Sequence, residues 1–160
     1  MKIKLGLGYD IHRLVEERPL YLGGILIPYN RGLLGHSDGD CLIHAVVDAL
    51  LGAMGERDIG QHFPDSDPLN KGRRSTEILA VVSGWMYDRG FQISHIDTII
   101  IAEEPKLNPY VKAMKESLCT HLKISPDDIG IKIKTNEGIG SIGRGGAIAV
   151  WAAVLLAAKD

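Results

Sequence analysis

The sequence has few cysteines, no run of basic residues and no long apolar stretch. Its two cysteines, Cys41 and Cys119, are too few among 160 residues for a disulfide framework, which favours a reducing compartment. The formal net charge is −2, and Lys and Arg are not clustered as they are on nucleic-acid or anionic-membrane surfaces. The apolar segment 147–158 is shorter than the roughly 20 residues that span a bilayer, and the N-terminus has no signal-peptide core. We therefore expect a cytoplasmic protein that binds neither nucleic acid nor membrane.

The composition and the periodicity predict one α/β domain over residues 1–160. Hydrophobic residues make up 45% and charged residues 24%, as in globular proteins with a packed core. Strands are predicted at 2–9, 20–28, 91–102 and 129–135, with a hairpin turn at Gly23-Gly24. Helices are predicted at 40–54, 75–89 and 108–122, with Ser75 as the N-cap of the second, and loops at 30–39, 55–72 and 137–146. Segment 147–158 fits either a helix, by its alanines, or a buried strand, by its unbroken apolar run.

A carboxylate and two imidazoles near the N-terminus have the pattern of an open metal site. Asp10 and His12 follow the first strand at i and i+2, so their side chains share one face. His44, in the next helix, is a candidate third ligand, and this donor set suits zinc or non-haem iron. The alternative interpretation is a turn-capping Asp10 beside two ordinary polar histidines. Cys41 is either a softer ligand or a small buried thiol, and Asp48 either orients His44 or is solvated.

Two further segments have features of phosphate binding. Segment 35–40 combines a histidine and a serine with the start of a helix, where backbone N–H groups attract anions, and we expect either Asp38 or Asp40 to cap that helix. Thr135 and Glu137 stand at the end of a strand before a glycine-rich loop, where a hydroxyl and a carboxylate can bind phosphate and Mg²⁺. A plain glycine-rich turn explains the second segment equally well.

Six short motifs follow one another along the chain. They are Gly8-Tyr9-Asp10-Ile11-His12, Gly35-His36-Ser37-Asp38-Gly39-Asp40 with His44, Asp58-Ile59-Gly60, Phe63-Pro64-Asp65-Ser66-Asp67-Pro68, Pro105-Lys106 and Gly143-Arg144-Gly145. In order and spacing they resemble the 2-C-methyl-D-erythritol 2,4-cyclodiphosphate synthases of the non-mevalonate isoprenoid pathway, from about residue 3 to the C-terminus. The resemblance implies a phosphorus–oxygen lyase that cyclises 4-diphosphocytidyl-2-C-methyl-D-erythritol 2-phosphate and releases CMP.

The resemblance also implies a fold, an assembly and a set of site residues. Helices are expected on one side of a mixed β-sheet (an α+β sandwich), with the sheets of a homotrimer packed around its axis, and 147–158 is expected to be a strand. Asp10, His12 and His44 match the zinc ligands, and Glu137 matches the ligand of Mg²⁺ or Mn²⁺. The expected substrate contacts are His36 and Ser37 for phosphate, Asp58, Gly60 and Asp65 for the erythritol, Ala102, Pro105, Lys106 and Leu107 for cytosine, Thr135 for the diphosphate, and Arg144.

The chain departs from the family pattern at Lys134, Ser141 and Gly146, where members often have Thr, Phe and Glu. None of these departures affects the expected metal ligands. Two other function classes stay open at this point. One is a different metalloenzyme with the same three ligands, such as a zinc phosphoesterase or an iron oxygenase. The other is a nucleotide-binding module whose structural zinc is closed by Cys41.

Overall fold

A five-stranded mixed sheet covered by helices forms the centre of the structure, a computed structural model that describes residues 2–159. The strands are β1 (Ile3–Glu16), β2 (Leu20–Leu22), β3 (Ile25–Ile27), β4 (Arg31–Leu33), β5 (Phe91–Ile101), β6 (Ile129–Lys134) and β7 (Ala147–Ala158). The helices are α1 (Cys41–Met54), α2 (Ile59–His62), α3 (Ser75–Asp88), α4 (Val111–Leu122) and α5 (Gly140–Gly143), with short 3₁₀ turns at Pro68–Asn70, Asn108–Tyr110 and Pro126–Asp128. No helix within residues 2–159 is long and apolar enough to cross a membrane.

The strand order of the large sheet is β4-β1-β7-β5-β6, and among the described residues β5 and β6 pair in parallel while the other neighbours are antiparallel. The long strands β1 and β5 flank β7, and the register places Asp10 and Ile100 opposite Val150 on its two sides. Strands β2 and β3 form a separate hairpin whose turn residues Gly23 and Gly24 have φ angles of 62° and 79°. Two consecutive positive φ angles require glycine-like residues, so the predicted hairpin is confirmed.

The two faces of β1 differ in how much of their surface is covered by other elements. Gly6 and Gly8 are buried beneath α1, whereas the residues between them point to the opposite, uncovered face. Six large apolar side chains on that face have between 43% and 66% of their surface exposed, namely Ile3, Leu5, Leu7, Tyr9, Ile11 and Trp151 of β7. The expected arrangement of helices on one side of a mixed sheet is confirmed, and the packing of sheets around a trimer axis stays a prediction.

Asp40 is the N-cap of α1 and connects that helix to the hairpin. Its carboxylate accepts hydrogen bonds from the backbone N–H of Ile43 (3.0 Å), Gly23 (2.9 Å) and Gly24 (2.7 Å). The side chain is fully buried, and this burial, together with the charge of Asp38, raises the pKa of Asp40 despite the three N–H donors. The capping prediction is confirmed for Asp40, whereas Asp38 serves a different helix.

Some elements differ from the sequence-based expectations. Ser75 is not the N-cap of α3 but its first helical residue, because the carboxylate of Asp38 reaches across and accepts the Ser75 N–H at 3.1 Å. The three predicted loops also contain regular structure, since β4, α2 and α5 lie within them. Segment Ala147–Ala158 is a strand, as the family resemblance implied, because it lies between β1 and β5 and is covered by α1.

Candidate active site

Asp10 and His12 project from the same face of β1, and His44 reaches them from the first turn of α1. Asp10 Oδ2 lies 2.9 Å from His12 Nε2 and 3.0 Å from His44 Nδ1, and the two imidazole nitrogens are 3.2 Å apart. All three ligand atoms lie within 4.8 Å of one another, so the predicted convergence is confirmed. One carboxylate and two imidazoles in this arrangement can bind a divalent metal ion and leave positions open for other ligands.

Glycines in β1 allow α1 to approach closely enough for this convergence. A Cβ atom on Gly8 would lie 1.9 Å from the carbonyl oxygen of Ala45, and one on Gly6 would lie 1.8 Å from that of Ala49. No side chain fits in this space, so the helix backbone rests directly on the strand. Because His44 precedes Ala45 in α1, this contact sets the distance between His44 and Asp10.

The orientation of His12 fits a metal ligand. Its Nδ1 lies 2.5 Å from the carbonyl oxygen of Leu34, which can only accept a hydrogen bond, so Nδ1 carries the proton. In a neutral imidazole the other nitrogen, Nε2, then presents its lone pair to Asp10. Two acceptor atoms only 2.9 Å apart need a positive charge between them, which a metal ion or a second proton on the ring can supply.

Charge effects within the group favour a bound cation. Burial alone would raise the pKa of Asp10, but the hydrogen bonds and charges of His12 and His44 outweigh it and hold that pKa well below its usual range. Burial opposes protonation of His12 as well, yet the hydrogen bond and charge of Asp10 raise the pKa of His12. Cys41 is fully buried and outside the ligand group, and burial raises the pKa of its thiol, which confirms its interpretation as a small core residue.

A cavity of about 220 Å³ opens beside the three side chains. Of the predicted substrate contacts, those that line it are His36, Ser37, Gly60 and Asp65. The remaining wall includes Phe63, which the sequence offered only as part of the 63–68 motif, and Asn70, which no sequence feature indicated. His36 Nδ1 lies 3.8 Å from Asp65 Oδ2, so the loop after α2 reaches the loop before α1 across the cavity. The space is large enough for a phosphate group and part of a sugar-sized ligand.

The loop before α1 is held in place by backbone contacts. Arg18 donates to the carbonyl oxygens of Gly35 (2.9 Å) and Ser37 (2.6 Å). The N–H of Asp38 donates to the carbonyl oxygen of Arg73 at 3.2 Å, which connects this loop to the start of α3. The candidate phosphate-binding residues are thus positioned before any ligand arrives.

Asp48 and Asp58 stabilise α2. Asp48 accepts the N–H of Ile59 at 2.8 Å, and Asp58 accepts that of Gln61 at 3.2 Å. Asp48 therefore caps α2 from a distance. Its hydrogen bond goes to Ile59 and not to His44, so the prediction that it orients that ring is wrong, and its side chain is partly exposed. Asp58 lines a separate depression beside β1 and not the 220 Å³ cavity.

The remaining predicted residues form a second cluster where the parallel strands β5 and β6 end together. Segment 102–107 follows β5 and contains Ala102, Pro105, Lys106 and Leu107, and the N–H of Ala102 donates to the carbonyl oxygen of Lys134 at 2.9 Å. Glu103 accepts the N–H of Asn136 at 2.8 Å, and Thr135 Oγ1 donates to Glu137 Oε1 at 3.3 Å. Among the described residues, none of this cluster lines the cavity of the metal ligands. Arg144 is exposed at the C-terminal end of α5 and does not line the cavity.

No sequence pattern indicated the side chains that support His44. Ser75 Oγ lies 2.8 Å from His44 Nε2, and Asp38 in turn contacts Ser75. His44 and Ser75 are 31 positions apart, so no local pattern indicates this contact.

The chain is similar to proteins of known family over nearly its whole length. The model of the YgbB family matches residues 3–157. The 2-C-methyl-D-erythritol 2,4-cyclodiphosphate synthase of Cyanothece sp. (strain PCC 7425 / ATCC 29141) is 51% identical over 154 residues, which cover 96% of each protein.

Solved structures with the same fold include two proteins of more than 35% sequence identity. IspF of Plasmodium falciparum in complex with CDP has a TM-score of 0.87 and 37% identity, over 99% of this chain and 97% of that one. The bifunctional IspDF of Campylobacter jejuni has a TM-score of 0.95 and 38% identity, over 99% of this chain. The chain spans 43% of that bifunctional protein.

Proposed function

The chain belongs to the YgbB family, and we propose that it cyclises 4-diphosphocytidyl-2-C-methyl-D-erythritol 2-phosphate to 2-C-methyl-D-erythritol 2,4-cyclodiphosphate with release of CMP. It would act as a phosphorus–oxygen lyase in non-mevalonate isoprenoid biosynthesis. The observation that carries the proposal is the convergence of Asp10, His12 and His44 beside a cavity lined by His36 and Ser37. We propose that the chain acts as one catalytic domain, in the cytoplasm, and its two buried free thiols support that location.

The reaction forms one P–O bond and breaks another. An oxygen of the 2-phosphate attacks the β-phosphorus, the bond from that phosphorus to the bridging oxygen breaks, and its electron pair leaves on CMP. The attacking phosphate is already anionic, so the step needs neither a protein nucleophile nor a general base. The main barriers are the repulsion between two anions and their alignment, so catalysis consists of positioning and charge compensation.

Two metal ions supply the compensating positive charge when bound, Zn²⁺ at Asp10, His12 and His44 and Mg²⁺ or Mn²⁺ at Glu137. The nitrogen and oxygen donors of the first group favour zinc, and Glu137 offers the hard carboxylate oxygen that Mg²⁺ prefers. His36 and Ser37 would donate hydrogen bonds to the substrate phosphates from a loop already held by Arg18. These contacts cost little additional ordering on binding.

The other predicted contacts belong to the two ends of the substrate. Asp58, Gly60 and Asp65 would bind the erythritol, and Asp58 would enter the site through movement of the segment that carries α2. Segment 102–107, with Pro105 and Lys106, would bind cytosine, and Thr135 would bind the diphosphate. Arg144 is proposed only as a peripheral anion contact, because it is exposed and does not line the cavity of the metal ligands.

We infer that the chain is a homotrimer whose active sites combine the metal group of one subunit with the second cluster of its neighbour. The separation of the two groups within one chain supports this assembly, since only the first group lines the cavity. The uncovered apolar face of β1 and β7 also supports it, because apolar surfaces of this extent mark protein contacts.

Phosphorus NMR of the protein with the proposed substrate, Mg²⁺ and Zn²⁺ tests the reaction. We expect CMP and a cyclic diphosphate in equal amounts, and the loss of both in His44→Ala and in Glu137→Gln. Release of inorganic phosphate would indicate a phosphoesterase. Binding of cytidine nucleotides without turnover would indicate a binding module. Either result would contradict the proposal.

Mixing two inactive variants tests the shared site. After co-refolding equal amounts of His44→Ala and Glu137→Gln, random assembly would place an intact metal group beside an intact second cluster in about a quarter of the sites. We therefore expect about a quarter of the parental activity. Absence of recovery, with each variant trimeric by light scattering, would show that each site lies within one chain.

A further inference from the structure

A buried chain of hydrogen bonds leads from His44 away from the candidate metal site. Ser75 Oγ lies 2.8 Å from His44 Nε2 and 2.5 Å from Asp38 Oδ1. Ser75 is fully buried, and His44 and Asp38 retain only 8% and 9% exposure. Within residues 2–159, Ser75 is the residue that connects a carboxylate to Nε2 of His44, the ring nitrogen that faces away from Asp10.

The carboxylate of Asp38 acts only as an acceptor in this series of hydrogen bonds. Besides the hydroxyl of Ser75, it accepts hydrogen bonds from the N–H of Ser75 (3.1 Å), the N–H of Asp40 (3.2 Å) and Nε of Arg74 (3.1 Å). The guanidinium of Arg74 is itself stacked 4.1 Å from the centre of the Tyr21 ring, which keeps its charge beside Asp38. Three N–H donors and the charge of Arg74 surround this carboxylate as an acceptor, so in the 2.5 Å contact the hydroxyl of Ser75 donates to it.

The direction of the remaining hydrogen bond follows from the number of protons. The hydroxyl of Ser75 has a single proton, and the contact with Asp38 uses it, so Ser75 Oγ can only accept from His44. Nε2 of His44 must then carry a proton. In a neutral ring the lone pair is therefore on Nδ1, the nitrogen that lies 3.0 Å from Asp10 and 3.2 Å from His12 Nε2.

We propose that Ser75, oriented by Asp38, is a positioning residue that keeps the lone pair of His44 Nδ1 directed at the bound metal. The inference rests on the metal-binding role proposed above for Asp10, His12 and His44. Hydrogen-bonded partners of metal-ligating histidines fix both the tautomer and the ring orientation, and their loss typically weakens metal affinity by about 10- to 100-fold. For His12 the carbonyl of Leu34 serves the same purpose.

The proton on His44 Nε2 also determines which hydrogen bonds the hydroxyl of Ser37 can make. Its Oγ lies 3.1 Å from His44 Nε2 and accepts the N–H of Gly39 at 3.3 Å. Since Nε2 carries a proton, Ser37 cannot donate to it, and its own hydroxyl proton stays available for an anion in the cavity. Ser75 thereby leaves Ser37 free to act as a donor to a substrate phosphate.

Nitrogen-15 NMR of the metal-free protein, labelled at histidine, measures the tautomer without any substitution. We expect His44 to show a directly bonded proton on Nε2 and, on adding Zn²⁺, a shift of the Nδ1 resonance. A proton on Nδ1 alone in the metal-free protein would overturn the proposal. Failure of the unsubstituted protein to bind Zn²⁺ would overturn the metal centre itself, and the proposal with it.

Zn²⁺ affinity, measured by competition with a chromogenic chelator, tests the role of Ser75. We expect Ser75→Ala to bind Zn²⁺ about 10- to 100-fold more weakly, with His44 distributed over both tautomers. Ser83→Ala is the matched control, because Ser83 is another buried serine of α3 whose hydroxyl bonds only the Ala80 carbonyl (3.1 Å). Ser37→Ala separates the two hydroxyls near His44 and should retain both the tautomer and most of the affinity.

Two results would overturn the role of Ser75. One is a parental tautomer and affinity in Ser75→Ala, and the other is a loss of both in Ser37→Ala but not in Ser75→Ala. If Ser75→Ala does not fold, the tautomer of the unsubstituted protein still decides the direction of the hydrogen bond on which the proposal depends.

Discussion

Substitution of Gly8 by alanine should separate the metal ligands by moving a helix. The added Cβ atom would lie 1.9 Å from the carbonyl oxygen of Ala45, whereas ordinary contacts begin at 3.4 Å. The neighbour is helix backbone and cannot rotate away, so α1 must move from β1 by about 1.5 Å, the difference between these distances. His44 would move with Ala45, while Asp10 and His12 stay on the strand.

Gly8→Ala should lower both the free energy of unfolding and the affinity for Zn²⁺. Added atoms in a packed interior typically cost about 1–3 kcal/mol, which lowers the melting temperature of a domain of this size by roughly 2–4 °C per kcal/mol. A displacement of this size would lengthen the distance from His44 Nδ1 to Asp10 Oδ2, now 3.0 Å, to about 4.5 Å at most. We expect the Zn²⁺ affinity to fall at least about tenfold, since ligand geometry determines the strength of a tetrahedral site.

The assay is chelator competition for Zn²⁺ together with thermal unfolding of the metal-free protein. Gly52→Ala is the control on the other side of the same interface, because its Cβ would meet its nearest neighbour at an ordinary 3.7 Å. That variant should keep the parental affinity and gain about 0.5–1 kcal/mol in unfolding free energy, since alanine is the better helix residue. A Gly8→Ala protein with parental affinity and melting temperature would refute the idea that this contact positions His44.

Three other predictions concern pH, capping and assembly. Burial opposes protonation of His12, but Asp10 raises the pKa of His12 overall, so protons compete with the metal for this ring. Zn²⁺ affinity should therefore fall about tenfold per pH unit once the pH drops below that raised pKa. An affinity that is independent of pH from about 5.5 to 8 would argue against His12 as a ligand. Asp40→Ala leaves three N–H groups without an acceptor, two of them buried and one partly buried, and should lower the free energy of unfolding in urea by about 2–4 kcal/mol. The control Asp67→Ala removes an exposed cap and should cost less than about 1 kcal/mol, and equal losses in the two variants would contradict the role of Asp40. Leu7→Asp places a charge on the uncovered sheet face and should reduce the mass measured by light scattering from three chains to one. The control Leu26→Asp changes an exposed residue of the hairpin and should leave the mass at three chains. Trimers of both variants would exclude the uncovered sheet face as the interface.

Features that depend on local spacing could be predicted from the sequence. The alternation of a strand was enough to place Asp10 and His12 on one face, and the Gly23-Gly24 pair was enough to predict the hairpin. Segment 147–158 shows the limit of such reasoning. Its alanines favour a helix in isolation, and only its place between two long strands decides in favour of a sheet.

Features that depend on contacts between distant segments could not be predicted. Ser75 has the composition of an N-cap, but Asp38, 37 residues earlier, occupies that role and leaves Ser75 to contact His44. The sequence predicts Asp48 either to orient His44, with which it shares a helix face, or to be solvated, while its hydrogen-bond partner lies 11 residues away in a segment predicted to be a loop. In both cases the acceptor comes from outside the helix that it stabilises.

The alternation of β1 also has a consequence for how this protein can change during evolution. Tyr9 and Ile11 face the uncovered surface while Asp10 and His12 face the cavity, so a single inserted residue would exchange the two sets. Such an insertion would remove the ligands and the apolar surface in one event, whereas an insertion of two residues would preserve the sidedness of the strand. We therefore expect length variation among viable descendants to be absent from β1 and to collect in segments without site residues, such as the largely exposed residues 123–128 between α4 and β6.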